Sequence, residues 1–174
     1  GGTNIWNGSI ALEGDSPVVV SVGGASSLEL NGPITGPAFN NVLSLRGTGT
    51  NSFLRGTVTL PLAGLQKDDG ITWIVNSVNN SYLFLRMLAG PLKLGNDNAI
   101  ATNSYVRTDG GVLDLAGFNQ TVAGLVNTRA TPQTVIANSS ITTDSRLTVA
   151  TFPSDPAWIS GAIIADSTAG GTRK

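Results

Sequence analysis

Residues 90–125, GPLKLGNDNAIATNSYVRTDGGVLDLAGFNQTVAGL, decide the fold. Two short apolar-alternating segments stand in it, Leu92-Lys93-Leu94 and Gly111-Val112-Leu113-Asp114-Leu115. Alternation at every second residue is the mark of a half-buried β-strand, with Leu92, Leu94, Leu113 and Leu115 on one face. Asn96-Asp97-Asn98, Asp109-Gly110-Gly111 and Gly117-Phe118-Asn119 bound them, and these residue types accept the backbone angles of tight turns. Other strands of the chain read as imperfect copies of this unit, which points to a stack of similar rungs.

Working outward, the same phrase recurs at Ile10-Ala11-Leu12, Val18 to Val22, Leu28-Glu29-Leu30, Leu43-Ser44-Leu45, Val58-Thr59-Leu60 and Ile71 to Val75. It returns at Thr134-Val135-Ile136, Leu147-Thr148-Val149 and Ala162-Ile163-Ile164. Aligning Leu12, Leu30, Leu45, Leu60, Leu94 and Leu115 gives steps of 18, 15, 15, 34 and 21 residues, the 34 spanning a further strand near Ile74. The spacing predicts one solenoid turn every 15–21 residues. Leu83 to Leu88 could pass for a helical turn but is too short for a helix, and Asp97 to Thr102 reads as a single turn; little or no helix is expected. A three-residue strand cannot bury its apolar face alone, whereas stacking rungs about 4.8 Å apart pairs the backbone and lines up the leucines. A β-sandwich competes on strand spacing, but hairpin signals are few and the repeated phrase favours the solenoid. The expected architecture is an all-β, right-handed parallel β-helix formed by one domain over residues 1–174.

Composition narrows the chemistry. Charged residues make up 12% of the chain, and 10 basic side chains balance 11 acidic ones, so no strong field draws nucleic acid or an anionic membrane. There is no cysteine, hence no disulfide and no thiolate metal site, and no histidine, hence no His-dependent triad or imidazole ligand. No apolar run reaches the roughly 18 residues of a membrane helix, and the opening GGTNIWNGSI already reads as a turn and a strand. The chain is expected to be a segment of a longer secreted precursor.

The phrases GPLKLGNDNAIA and GGVLDLAGFNQTVAGL, with Ser145-Arg146-Leu147-Thr148-Val149 and Ile159-Ser160-Gly161-Ala162-Ile163, carry a resemblance. Ile5 to Ile10, Leu30 to Gly36 and the corner-like Gly64-Leu65-Gln66-Lys67 add to it. The chain resembles the autotransporter-associated β-strand repeat of bacterial autotransporter passenger domains, most specifically over Gly110 to Leu125. It departs from that pattern at Asp68 to Trp73 and at the bulky Leu83 to Met87. The resemblance implies a secreted β-helix exposed at the bacterial outer surface or released from it. It implies no activity, since in that family the repeat is a stalk.

Asp68-Asp69 is the nearest approach to a catalytic pair. Neighbours on a strand point to opposite faces, so the two could serve one sugar only from a loop, and the pair reads as a solvated turn. The β-helix pectin hydrolases also need a histidine that this chain lacks. Asp97, Asp109, Asp114 and Asp144 would bind calcium only if the rungs gathered them, and Asp114, between two leucines, should face solvent. Asn119 and Gln120 are expected to donate their amides into a corner ladder. Trp6, Trp73 and Trp158 read as interior or cap packing rather than a sugar platform. Asn7, Asn79, Asn119 and Asn138 match the glycan-acceptor spacing, as chance allows in a chain rich in asparagine.

No residue is assigned a catalytic, cofactor-binding or metal-binding role, and no cofactor is expected. The expected function is a non-catalytic extracellular structural or adhesive segment of a stalk, surface layer or fibre. The alternative is a carbohydrate-active β-helix hydrolase or lyase. The expected partners are further repeats, by end-to-end self-association or continuation of the stack, and surface glycans. Neither nucleic acid nor a membrane span is expected.

Overall fold

A computed structural model describes residues 1–14, 16–36, 42–126 and 134–150, and the backbone of 163–166. Every described element is a β-strand, and every pairing is parallel. The first two turns each contribute three strands: β1 (Thr3–Trp6), β2 (Ile10–Ala11) and β3 (Val18–Val22), then β4 (Ser27–Leu30), β5 (Ile34–Thr35) and β6 (Val42–Gly47). The third holds β7 (Ser52–Leu54) and the long β8 (Val58–Lys67); the fourth, β9 (Trp73–Val75) and β10 (Ser81–Met87). The fifth holds β11 (Pro91–Leu94) and β12 (Tyr105–Thr108), the sixth β13 (Val112–Asp114), β14 (Gln120–Val122) and β15 (Gly124–Val126). Beyond them lie β16 (Val135–Asn138), β17 (Leu147–Val149) and β18 (Ile163–Asp166). The chain is a parallel β-solenoid of about six turns.

The first face is an eight-stranded sheet in the order β1-β4-β7-β9-β11-β13-β16-β18. The long β8 serves the other two faces in turn: Val58 and Thr59 pair with β5, and Gly64 to Leu65 and beyond pair with β6. Pro61, which has no N–H to offer a ladder, sits between those two halves. β10 makes the same change of face with a register shift between Tyr82 and Phe84. The bulky Leu83 to Met87 segment is therefore strand, in a turn that keeps its place in the stack.

Interior columns follow from the ladder register. Leu30, Leu54, Val75 and Leu94 stack on the first face, as do Trp73, Leu92, Leu113 and Ile136. Leu43, Leu65, Leu85, Val106 and Leu125 form a column on the third, and each of these residues is buried. Leu115 is only 5% exposed and its N–H donates to the Ala137 carbonyl one turn on. Leu115→Ala is expected to lower the unfolding free energy by about 2–5 kcal/mol through the cavity left in a stack with little freedom to collapse. Urea denaturation checks this; a change under about 1 kcal/mol would show that the column does not carry the packing assigned to it.

The turn length differs from the sequence reading. Trp6 pairs with Leu30 and Leu30 with Leu54, steps of 24 residues. Val75 to Leu94 takes 19, and Ile136 to Ile164 takes 28. The leucine alignment mixed faces: Leu30 and Leu94 belong to the first, Leu60 to the second and Leu45 to the third. The L-x-L phrase marks each face, not each turn. Likewise Gly64 to Lys67 is not a corner but the paired second half of β8.

Candidate functional site

Lys67 stands in an inward column between Leu45 and Met87 and is wholly buried. The alternation of β8 puts it there, since Leu65 two residues earlier also faces in. An ammonium group in an apolar interior needs three acceptors. Here Nζ donates to the carbonyls of Asp68 at 2.9 Å, Asp69 at 2.6 Å and Ala89 at 3.2 Å. One cation thus ties the corner of the third turn to that of the fourth. Burial lowers the group from the ordinary 10.5 to about 8, opposed by the charges of Asp69 and then Asp68.

The aspartates beside it do not act as a pair. The Asp68 carboxylate lies 2.6 Å from the Arg46 guanidinium and accepts from the Asp69 N–H at 3.0 Å. Asp69 is exposed on a left-handed turn with φ of 71°. An open groove of about 390 Å³ adjoins them, lined by Gly47, Thr48, Gly49, Asp69, Gly70 and Ile71. The groove offers one carboxylate and no second acid or base among these lining residues, and Lys67 has all three donors engaged.

The four aspartates considered for calcium are held apart. Asp97 accepts from the Asn119 N–H at 2.6 Å, Asp109 is buried against the Arg86 Nε at 3.2 Å, and Asp144 is exposed. Asp114 corrects the expectation of a solvated side chain. It is 9% exposed, and its Oδ1 accepts from Ala116 N at 3.0 Å and Ser139 N at 2.9 Å, stitching its own corner to the next. The outward face of a strand is not solvent where a longer neighbouring corner folds over it. No group of three metal-binding side chains occurs among the described residues.

The corner amides do structural work. Gln120 accepts from Ile100 N at 2.9 Å and donates to Ile100 O at 3.0 Å. Asn119, expected to donate, instead accepts from Arg146 N at 2.9 Å. Asn80, read only as part of a glycan-acceptor pattern, is buried and spans three turns: it accepts from Val58 N and donates to Ala99 O, both at 2.7 Å. Trp73 is interior, as expected. Trp6 occupies the column above which Leu30 stacks but is 53% exposed. Trp158 and Ile159 to Ala162 lie outside the described residues.

Two outward aromatics were missed. Phe84 and Tyr105 are register partners, flanked by Gly64 before and Gly124 after. A Cβ at Gly64 would fall 2.3 Å from the Phe84 ring, and one at Gly124 would fall 2.9 Å from Tyr105, so each ring lies over bare backbone. The Arg107 guanidinium stacks 4.3 Å from the Phe84 centroid. An outward aromatic beside a glycine one turn away was the available signal, hidden until the true turn length was known.

No family model, no curated protein and no solved structure matches this chain.

Proposed function

We propose that the chain is a non-catalytic structural and adhesive β-solenoid segment, working outside the cell in a stalk, surface layer or fibre. This is the role of the autotransporter passenger repeats that its sequence resembles. The observation that carries the reading is the use made of polar groups. Lys67, Asn80, Gln120 and Asp114 are each largely buried, and each places at least one hydrogen bond across to a neighbouring turn. Such bonds lend rigidity along the stack, and among the described residues they leave no paired acid and base facing a substrate.

Further turns are the fitting partners for such a segment. Ile5 and Trp6 of β1 are 57% and 53% exposed, and another turn laid on β1 would cover them. Continuation of this chain and a second copy both supply that surface.

The rival enzyme reading rests on Asp68, Asp69 and the groove beside them. Incubation with neutral and acidic polysaccharides is expected to release no new reducing ends. Cleavage that disappears in Asp68→Asn or Asp69→Asn would overturn the proposal.

A further inference from the structure

The first turn presents a sheet edge, and no described strand lies beyond it: β1 stands at one end of the eight-stranded sheet and β18 at the other. A parallel ladder bonds alternate residues to opposite sides, and the Gly2 and Trp6 carbonyls are taken by Ser27 N and Asn31 N of the second turn. The N–H and C=O groups of Thr3 and Ile5 therefore lie along the open edge. Residues 1–9 are all exposed, Ile5 and Trp6 by more than half. Natural edges are blunted by charge, proline or a bulge, and Thr3-Asn4-Ile5-Trp6 carries none of these.

Gly8 tells what belongs on that edge. It heads the corner column of Gly8, Gly32 and Gly56, and none of the three has the left-handed backbone that calls for glycine. Gly32 and Gly56 are bare because the backbone of the preceding turn passes there. A Cβ would fall 1.9 Å from the Gly8 carbonyl oxygen and 1.7 Å from that of Gly32. At Gly8 the added carbon would meet only the exposed Trp6 indole, at 3.3 Å, a side chain that can swing aside. Glycine thus occupies a position where an isolated first turn does not need it and an added turn does. The amides of the same corner agree: Asn31 donates to Asn7 at 2.8 Å, and Asn7 donates to no described residue.

The matching surface is the far edge of the same sheet. β1 and β18 are each four residues long, and every pairing between them runs parallel, so a copy translated along the axis brings the two together in the right direction. The row that starts at Asn4 and Leu28 runs through Trp73, Leu92 and Ile136 to Ile164, which sets the next step of the ladder as Ile164 beside Asn4. A net charge of −1 puts little repulsion between copies. We propose that the edge of the first turn binds a second copy of this chain head to tail, β18 of one copy adding in parallel to β1 of the next. Such a contact is heterologous and does not close, so it propagates along the stacking axis. The inference rests on the fibre reading of the proposed function and names its partner.

Sedimentation velocity on the full chain across a concentration series tests this. The mass is expected to rise with concentration past that of a dimer without levelling. Gly8→Ala and Thr3→Pro are each expected to weaken association by about tenfold or more, the first through a backbone collision and the second by removing an edge N–H. Neither change removes a backbone bond to the second turn, so both variants at high dilution should melt as the wild type does. A Gly8→Ala copy keeps its far edge, and in excess it should cap wild-type stacks and lower their mass. A chain that stays monomeric would overturn the inference, as would a mass that levels at a dimer or association undiminished in both variants. The structural reading would outlive each of those results, because continuation of the polypeptide supplies the same cover; polysaccharide cleavage is what would end that reading.

Discussion

Gly56→Ala is expected to lower the unfolding free energy by about 3 kcal/mol or more, a large effect for one methyl group. Gly32 and Gly56 occupy equivalent corners, 24 residues apart, on top of Gly8. A Cβ on Gly56 would fall 1.7 Å from the Gly32 carbonyl oxygen, and one on Gly32 would fall 1.9 Å from that of Gly8. Both collisions are with backbone, which cannot swing aside as a side chain can. Relief requires prying the turns apart, and this weakens the neighbouring bonds from Arg55 N and Gly56 N to Leu30 O, at 2.8 and 3.0 Å. Gly70→Ala is the control. It has nothing within 4 Å of its added carbon, so its stability should change by no more than about 0.5 kcal/mol. Equal unfolding midpoints for the two variants would refute the close stacking of these corners.

Lys67→Met tests the buried cation, and two effects oppose each other in it. Removing the ammonium relieves a net cost of holding the charge, desolvation less the attraction of Asp69 and Asp68, which the fall from 10.5 to about 8 places at no more than about 3 kcal/mol. Against this, the Asp68, Asp69 and Ala89 carbonyls lose their common donor. These part-buried bonds are to a charged donor, each worth about 1.5–3 kcal/mol, so losing three together outweighs the relief. A net loss of about 3 kcal/mol is expected near neutral pH. The wild-type chain also carries a pH signature. Its unfolded state keeps the lysine proton up to about 10.5, while the folded state releases it from about 8. Between those values the unfolded chain binds more protons, so stability rises with pH across that window. Denaturation curves taken from pH about 7 to about 10 should show this gain in the wild type and lack it in Lys67→Met. A Met variant as stable as the wild type at neutral pH would mean that the three carbonyls find other donors.

The parallel stack and its leucine interior were legible from short strands that alternate and repeat. Leu30, Leu45, Leu94 and Leu115 are all buried where alternation placed them. The turn length was not legible, because an L-x-L phrase states which way a strand faces and says nothing of which face of the solenoid it occupies. Leu45 and Leu60 look like successive rungs in the sequence yet belong to adjoining faces. Lys67 was half legible. Counting two residues on from Leu65 turns it inward, but the acceptors that make this tolerable come partly from Ala89, 22 residues later. Asp114 shows the converse: alternation correctly turned it outward, and only the length of the following corner decided that Ser139 would cover it. Phe84 and Tyr105 depend on register between turns, which no local pattern encodes.

The short interval between ladder partners bears on how such a molecule assembles. Each strand on the first face finds its neighbour one turn away, between 19 residues for Val75 and Leu94 and 28 for Ile136 and Ile164. All-β proteins usually fold slowly because distant segments must meet before any contact rewards the closure of a long loop. Here the loop to be closed is never longer than one turn, however many turns are added. Once a first pair of turns is in place, its free edge templates the next, and the structure can grow like a zipper from that nucleus. The difficult step is then starting, not finishing, and a chain delivered one end first would meet its folding surface already made.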